Sequence, residues 1–216
     1  MITIPEVVGQ IVRRSPYLEE ALSQGIVNLS ALARLIKPDV EKEVMKDVQD
    51  GAVIVALNRL SRQVSKRTKR PKNVFRKAPD LIVRSNLFEQ TFVNSEGLVM
   101  KQKKLLDRMA GTRNLFIAFT QGTKETTLIA SRELESRIRD IFKGEKLISR
   151  IGRLSTITIL LPVGTALIPG VYSYFLKALA WEGINVVEVV STLNEFTIVL
   201  EDKVIDLAFS IIKRLF

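Results

Sequence analysis

The sequence predicts an α+β chain: a helical N-terminal region, then two copies of one strand-and-helix unit. Apolar residues recur at helical spacing through the first 65 residues and alternate at strand spacing at several places beyond residue 80. The order strand, helix, strand, strand, helix can be read there twice. At 216 residues, 46% of them hydrophobic, the chain can bury a core and form one large or two to three small domains. It has no cysteine and no histidine. Disulfides, thiolate metal sites, zinc sites and histidine-based hydrolytic triads are thereby excluded, and no cofactor is signalled. No apolar run reaches the roughly 18–20 residues a membrane helix needs, and Met1 to Pro5 lacks the basic start of a secretory signal. A cytoplasmic home is the expectation.

Within the helical region, residues 1–65, Ser15-Pro16 reads as an N-cap with Pro at the first helical position. Gly25 closes that helix. Asn28 caps a second one, Leu29 to Ile36, whose Leu29, Leu32, Ala33 and Ile36 share a face. Pro38 is expected to restart the chain, with Val40, Val44 and Val48 at i+4 spacing. Gly51 interrupts, and Val53, Leu57, Leu60 and Val64 form a further helical stripe.

The net charge of +10 is concentrated. Residues 51–78 hold nine basic and no acidic side chains, an excess of +9, while residues 1–50, 79–150 and 151–216 sum to −2, +4 and −1. Residues 66–79, with Pro71 and Pro79, read as a basic linker or extended arm. Beyond it, a first copy spans 80–150, with a strand Leu81 to Phe88, a helix Leu98 to Met109, a hairpin Asn114 to Ala130 and a helix Arg132 to Phe142. The clearer copy spans 151–216. Its strand Leu154 to Leu161 is followed by a helix from Pro169 to Trp181, stopped by Gly183. Two strands, Asn185 to Val190 and Glu195 to Leu200, precede a final amphipathic helix, Val204 to Phe216.

The run Thr158-Ile159-Leu160, Ile168-Pro169-Gly170-Val171, Phe175 to Ala180, Gly183-Ile184-Asn185-Val186, Ser191-Thr192 and Thr197 to Leu200 resembles the ACT domain, most of all the second ACT module of aspartokinases. The resemblance covers about 60 residues. It implies tandem ferredoxin-like βαββα(β) modules and a site for a small molecule, expected to be an amino acid, contacted by Gly164, Thr165, Ile168, Gly170, Val171, Asn185 and Val186. Physical chemistry points the same way: free N–H groups at a helix start suit a carboxylate, and Gly164 and Gly170 admit close backbone approach. The first copy offers Asn94-Ser95-Glu96-Gly97 where the second has its Pro-Gly helix start. The second copy also stops short of a fourth strand, which Glu145 to Arg150 or a partner chain is expected to supply. That open edge, with an apolar final helix carrying Leu207, Ile211 and Leu215, suggests a homo-oligomer.

Residues Asn28 to Arg34 and Gly51 to Leu60 resemble the two helices of a winged helix-turn-helix, separated by a long insert from Lys37 to Asp50. That resemblance implies DNA contact by Asn58, Arg59, Arg62, Gln63, Lys66 and Arg67, with Arg and Lys on phosphates or guanine and Asn and Gln on adenine. The kinase half of aspartokinase, with its Gly-rich phosphate loop, has no counterpart in the sequence. The expectation is therefore a non-enzymatic regulator; the alternative is a partner that regulates an amino-acid biosynthetic enzyme in trans.

Overall fold

The computed structural model describes residues 2–67, 79–109, 114–165 and 168–216, and the expected linker at 66–79 falls largely outside them. The chain divides into two compact units, Met1–Arg70 and Pro71–Phe216. Among the described residues no helix is long and apolar enough to cross a membrane.

The first unit consists of helices α1 (Ile4–Arg14), α2 (Pro16–Gln24), α3 (Leu29–Val44) and α4 (Asp50–Arg67). Thr3 N and Thr3 Oγ1 both donate to Glu6 Oε2 at 2.8 Å, securing the start of α1. Gly25 ends α2 in the left-handed conformation (φ 70°). Asn28 caps α3 as expected, its Oδ1 accepting from Ala31 N at 3.0 Å. Asn28→Ala should therefore cost about 1 kcal/mol, read as a lower denaturation midpoint at unchanged slope. Val8, Val12, Ala33, Val40, Val53 and Leu57 are completely buried in one core.

Pro38 does not restart the chain. It lies inside α3, because Leu32, Ala33, Ile36 and Val40 continue one buried face across it and that packing outweighs the missing N–H. The expected insert from Lys37 to Asp50 is thus the end of α3 plus a corner. Lys37 Nζ donates to Asp50 Oδ1 at 2.9 Å across that corner, and Val48 N donates to Glu41 Oε1 at 3.0 Å. Gly51 falls in the first turn of α4 rather than breaking a helix. Residues 45–49 connect α3 to α4, so the long insert is absent, but residues 2–67 contain no strand to form the wing of a winged helix-turn-helix.

The second unit runs β1 (Leu81–Val93), α5 (Leu98–Met109), β2 (Ile117–Gln121), β3 (Glu125–Ser131), α6 (Glu135–Ile141), β4 (Leu147–Leu160), α7 (Val171–Trp181), β5 (Glu188–Ser191), β6 (Glu195–Glu201) and α8 (Ile205–Lys213). A short 3₁₀ turn precedes α6 (Arg132–Leu134) and α8 (Asp202–Val204), so the repeat extends to detail. All six strands join one antiparallel sheet in the order β2-β3-β1-β4-β6-β5.

The two central strands are longer than the sequence reading made them, and each serves both modules. Leu87 to Val93 of β1 lies between β3 and the first half of β4, completing the first module. Leu154 to Leu160 of β4 pairs with β6, while its other side receives Leu81 to Arg84. The fourth strand of the second module therefore comes from the front of β1. Glu145 to Arg150 runs instead into the half of β4 that completes the first module, and the boundary at 150/151 lies inside β4. This filled edge removes the argument for an oligomer. The final helix supplies no substitute, since Ile211 is buried, Leu215 packs against the same core and Leu207 alone is largely exposed.

Where the strand halves meet, Asn86 (φ 62°) and Arg153 (φ 57°) take left-handed conformations at breaks in the β1–β4 register. Each bulge shifts side-chain alternation by one. The shift lets Leu81 point to the helix-covered core of the second module while Phe88 and Phe92 point to that of the first. On the other face Leu87, Ile129, Leu154 and Val199 form a separate buried cluster. Matching threonine pairs flank it, Thr91 with Thr127 at 3.0 Å and Thr158 with Thr197 at 2.8 Å. Burial, then the Glu188 carboxylate, pushes the Glu89 carboxyl above its ordinary range.

Candidate ligand-binding site

The loop between β4 and α7 is built by backbone bonds. Leu161 N donates to Asn194 O at 2.7 Å at the strand end. Thr165 N donates to Pro162 O at 3.0 Å, closing a turn that holds Gly164 at φ 83°. Ile168 N donates to Thr165 O at 3.0 Å, and Gly170 (φ 89°) then turns the chain into the helix. Ser173 Oγ and Tyr174 N both donate to Gly170 O, at 2.9 and 3.0 Å.

Helix α7 is held by Val171, Phe175 and Leu179, buried against β4 and β6. Tyr172 stacks on Phe196 at 4.5 Å between ring centroids, which fixes the first turn. Outside that turn lies a hollow of about 280 Å³ lined by Ile168, Pro169, Gly170, Val171, Tyr172 and Ser173. No charged residue occurs between Leu161 and Leu176, so the positive end of α7 faces no counter-charge from its own loop. Among the described residues, a Cβ added at Gly170 would meet only Ser173 Oγ, at 3.7 Å.

Of the residues expected to contact a ligand, Ile168, Gly170 and Val171 line the hollow. Gly164 is exposed at the far side of the turn, and Thr165 is buried beneath it. Asn185 is exposed and Val186 packs on the module core; neither lines the hollow. Tyr172 and Ser173 were missed by the sequence reading. As first-turn residues of a helix their N–H groups have no acceptor within it, and that position is the signal that finds them. Among the described residues no group of three or more His, Cys, Asp or Glu could hold a metal ion.

In the first unit Asn58, Arg59, Arg62 and Gln63 are exposed on α4. Arg59 and Gln63 line a cleft of about 360 Å³ with Pro5, Glu6, Gly9, Gln10 and Arg13 of α1. Lys66 and Arg67 end α4, and their side chains lie outside the described residues.

No family model matches the sequence, and no curated protein is similar to it in sequence. Solved structures are similar in fold. The ligand-free regulatory subunit of aspartate kinase from Thermus thermophilus is matched over 65% of this chain and 99% of its own, at 14% identity and a TM-score of 0.53. The regulatory subunit from Thermus flavus is matched over 64% of this chain and 99% of its own, at 12% identity and a TM-score of 0.51. The aspartate kinase of Clostridium acetobutylicum, an allosteric enzyme, is matched over 64% of this chain at 14% identity and a TM-score of 0.53, and the chain spans about 35% of its length. The shared fold is that of an aspartate kinase regulatory region built from ACT modules.

Proposed function

We propose that the second unit senses an amino acid, or a similar small carboxylate, at the start of α7. The observation that carries this reading is the uncharged hollow at Gly170, open in front of the first turn of a well-anchored helix. The fold shared with aspartate kinase regulatory subunits supports it. The carboxylate would sit against the Tyr172 and Ser173 N–H groups beside Gly170, since Val171 N donates to Ile168 O at 3.4 Å, with the ligand's remainder over Ile168 and toward Asn185. Binding would act by favouring one arrangement of the loop over another, and so bias whatever the chain regulates. That target is an amino-acid biosynthetic enzyme bound in trans, or a function of the first unit. A homo-oligomer formed along the free edges of β2 or β5 would bring a second wall to the site.

Calorimetric titration with each common amino acid tests the reading. One of them should bind at micromolar to millimolar concentration, and Asn185→Ala should weaken it by about 1 kcal/mol, the loss of one hydrogen bond from an exposed side chain outside the hollow. If none binds at several millimolar, the unit is an assembly platform.

A second reading concerns nucleic acid, and one observation favours it: Asn58, Arg59, Arg62 and Gln63 stand exposed on α4 within the stretch, residues 51–78, that holds nine positive charges and no negative one. If that surface meets DNA or RNA, affinity falls with salt by about −0.9 in log–log slope per phosphate contacted. Arg59→Ala with Arg62→Ala should flatten the slope by about 2. Binding indifferent to salt and to both substitutions would end this reading.

A further inference from the structure

The loop that enters α5 is the counterpart of the one that enters α7. Asn94 N donates to Lys124 O at 2.9 Å just as Leu161 N donates to Asn194 O, which aligns the two strand ends. From the helix starts, Gly97 corresponds to Gly170 and Lys101 to Tyr174. From the starts of β3 and β6, Glu145 corresponds to Leu215. In the second module Tyr174 Oη donates to Leu215 O at 3.0 Å, a neutral tie between α7 and the segment behind α8.

The first module makes the same tie with charge. Lys101 Nζ lies 2.6 Å from Glu145 Oε1 and donates to Lys143 O at 2.9 Å. Ser95 Oγ donates to Glu145 Oε2 at 2.6 Å. The Glu145 side chain is 9% exposed, and a Cβ built on Gly97 would lie 3.4 Å from Oε1. A carboxylate thus rests against the glycine that matches Gly170, held by an ammonium and a hydroxyl. The loop it closes, Asn94 to Gly97, is four residues long, against ten from Leu161 to Gly170.

We infer that Glu145 is a built-in occupant: it takes in the first module the place a free carboxylate takes in the second, so each chain offers one effector site rather than two. This rests on the reading of the Gly170 loop given above. Removing the side chain should leave Lys101 and Ser95 facing a vacancy that a small free carboxylate fits, whereas no such exchange is open to the intact chain.

The experiment is thermal melting of the full chain and of Glu145→Ala, each in sodium acetate and in sodium chloride of equal ionic strength. Glu145→Ala should melt roughly 2–6 °C lower in chloride, the loss of one charge-assisted contact in a unit of this size. Acetate at ~100 mM should restore about half of that loss, by mass action on the native state, and leave the wild type unmoved. Acetate shifting both proteins equally, or neither, would overturn the inference. Should Glu145→Ala not fold, Glu145→Gln serves. Lys101, then Ser95, hold the Glu145 carboxyl below its ordinary range, so its contribution is present at neutral pH and lost as pH falls through that lowered range. Glu145→Gln should therefore melt lower near pH 7 and converge on the wild type in acid; equal curves throughout would count against an anchored carboxylate. In titration, two equivalents of amino acid per wild-type chain would overturn this inference alone. No amino acid binding at all would sink the Gly170 site while leaving the acetate response intact.

Discussion

Replacing Ile82 and Arg84 together with proline is expected to detach the fourth strand of the second module and lower the melting temperature of the second unit by about 10 °C. Leu160 N donates to Asp80 O, and antiparallel pairing alternates, so the N–H groups of Ile82 and Arg84 are the next two on the front of β1 directed at β4. Proline removes both donors and cannot sit between paired strands. The lost bonds, and the loss of Leu81 from the core it packs against, come to about 3–5 kcal/mol. The Thr156 to Ile159 edge would then be bare and prone to pair between molecules, so light scattering should rise on heating before the melt is complete. Effector binding should fail along with the strand, because β4 leads directly into the loop at Gly164 and Gly170. A double variant melting within two or three degrees of the wild type would mean that Leu81 to Arg84 contributes no structural strand.

Gly170→Asp is expected to abolish effector binding while leaving the fold in place. Space is not the obstacle, since among the described residues an added Cβ would meet only Ser173 Oγ, at 3.7 Å. Charge is. The aspartate would put a carboxylate at the positive end of α7, where it gains what an anionic ligand would otherwise gain and repels that ligand besides. A helix start is worth up to ~2 kcal/mol to an anion in partly buried geometry, so losing that and adding repulsion should weaken binding by about 100-fold or more. The left-handed backbone at φ 89° adds a folding cost of about 1 kcal/mol, small for aspartate among non-glycine residues. Calorimetry beside a thermal melt separates the two effects. Unchanged affinity in a variant of near-normal stability would place the ligand elsewhere.

Most elements were legible because their signals are local. The helix Leu98–Met109 follows from periodicity behind a glycine, and the αL ends at Gly25 and Gly183 follow from glycine where the pattern stops. What escaped was non-local. Leu147 to Arg153 carries no clean alternation, because much of that half-strand is exposed and its partner is Leu87 to Phe92 of β1. The front of β1 was found as a strand but given to the wrong module, since nothing within it says which strand lies alongside. Pro38 misled for the opposite reason: a strong local breaker was overruled by a buried stripe that continues past it. At the site, the turn glycines were legible from residue type alone. The contact of Glu145 with Ser95 spans 50 positions and leaves no trace in either neighbourhood.

The front of β1 has one more consequence. Its residues Leu81 to Arg84 follow the basic stretch in the chain, yet their partners belong to the module more distant in sequence. The covalent tether from the first unit is therefore made fast to the second module, and tension along it is borne first by those four rungs. Rungs at the end of a strand break in succession rather than all together. Pulling the chain from its N-terminal side should therefore open these pairs one after another like a zip, starting at Leu81 beside Ile159, close to the start of the Gly170 loop.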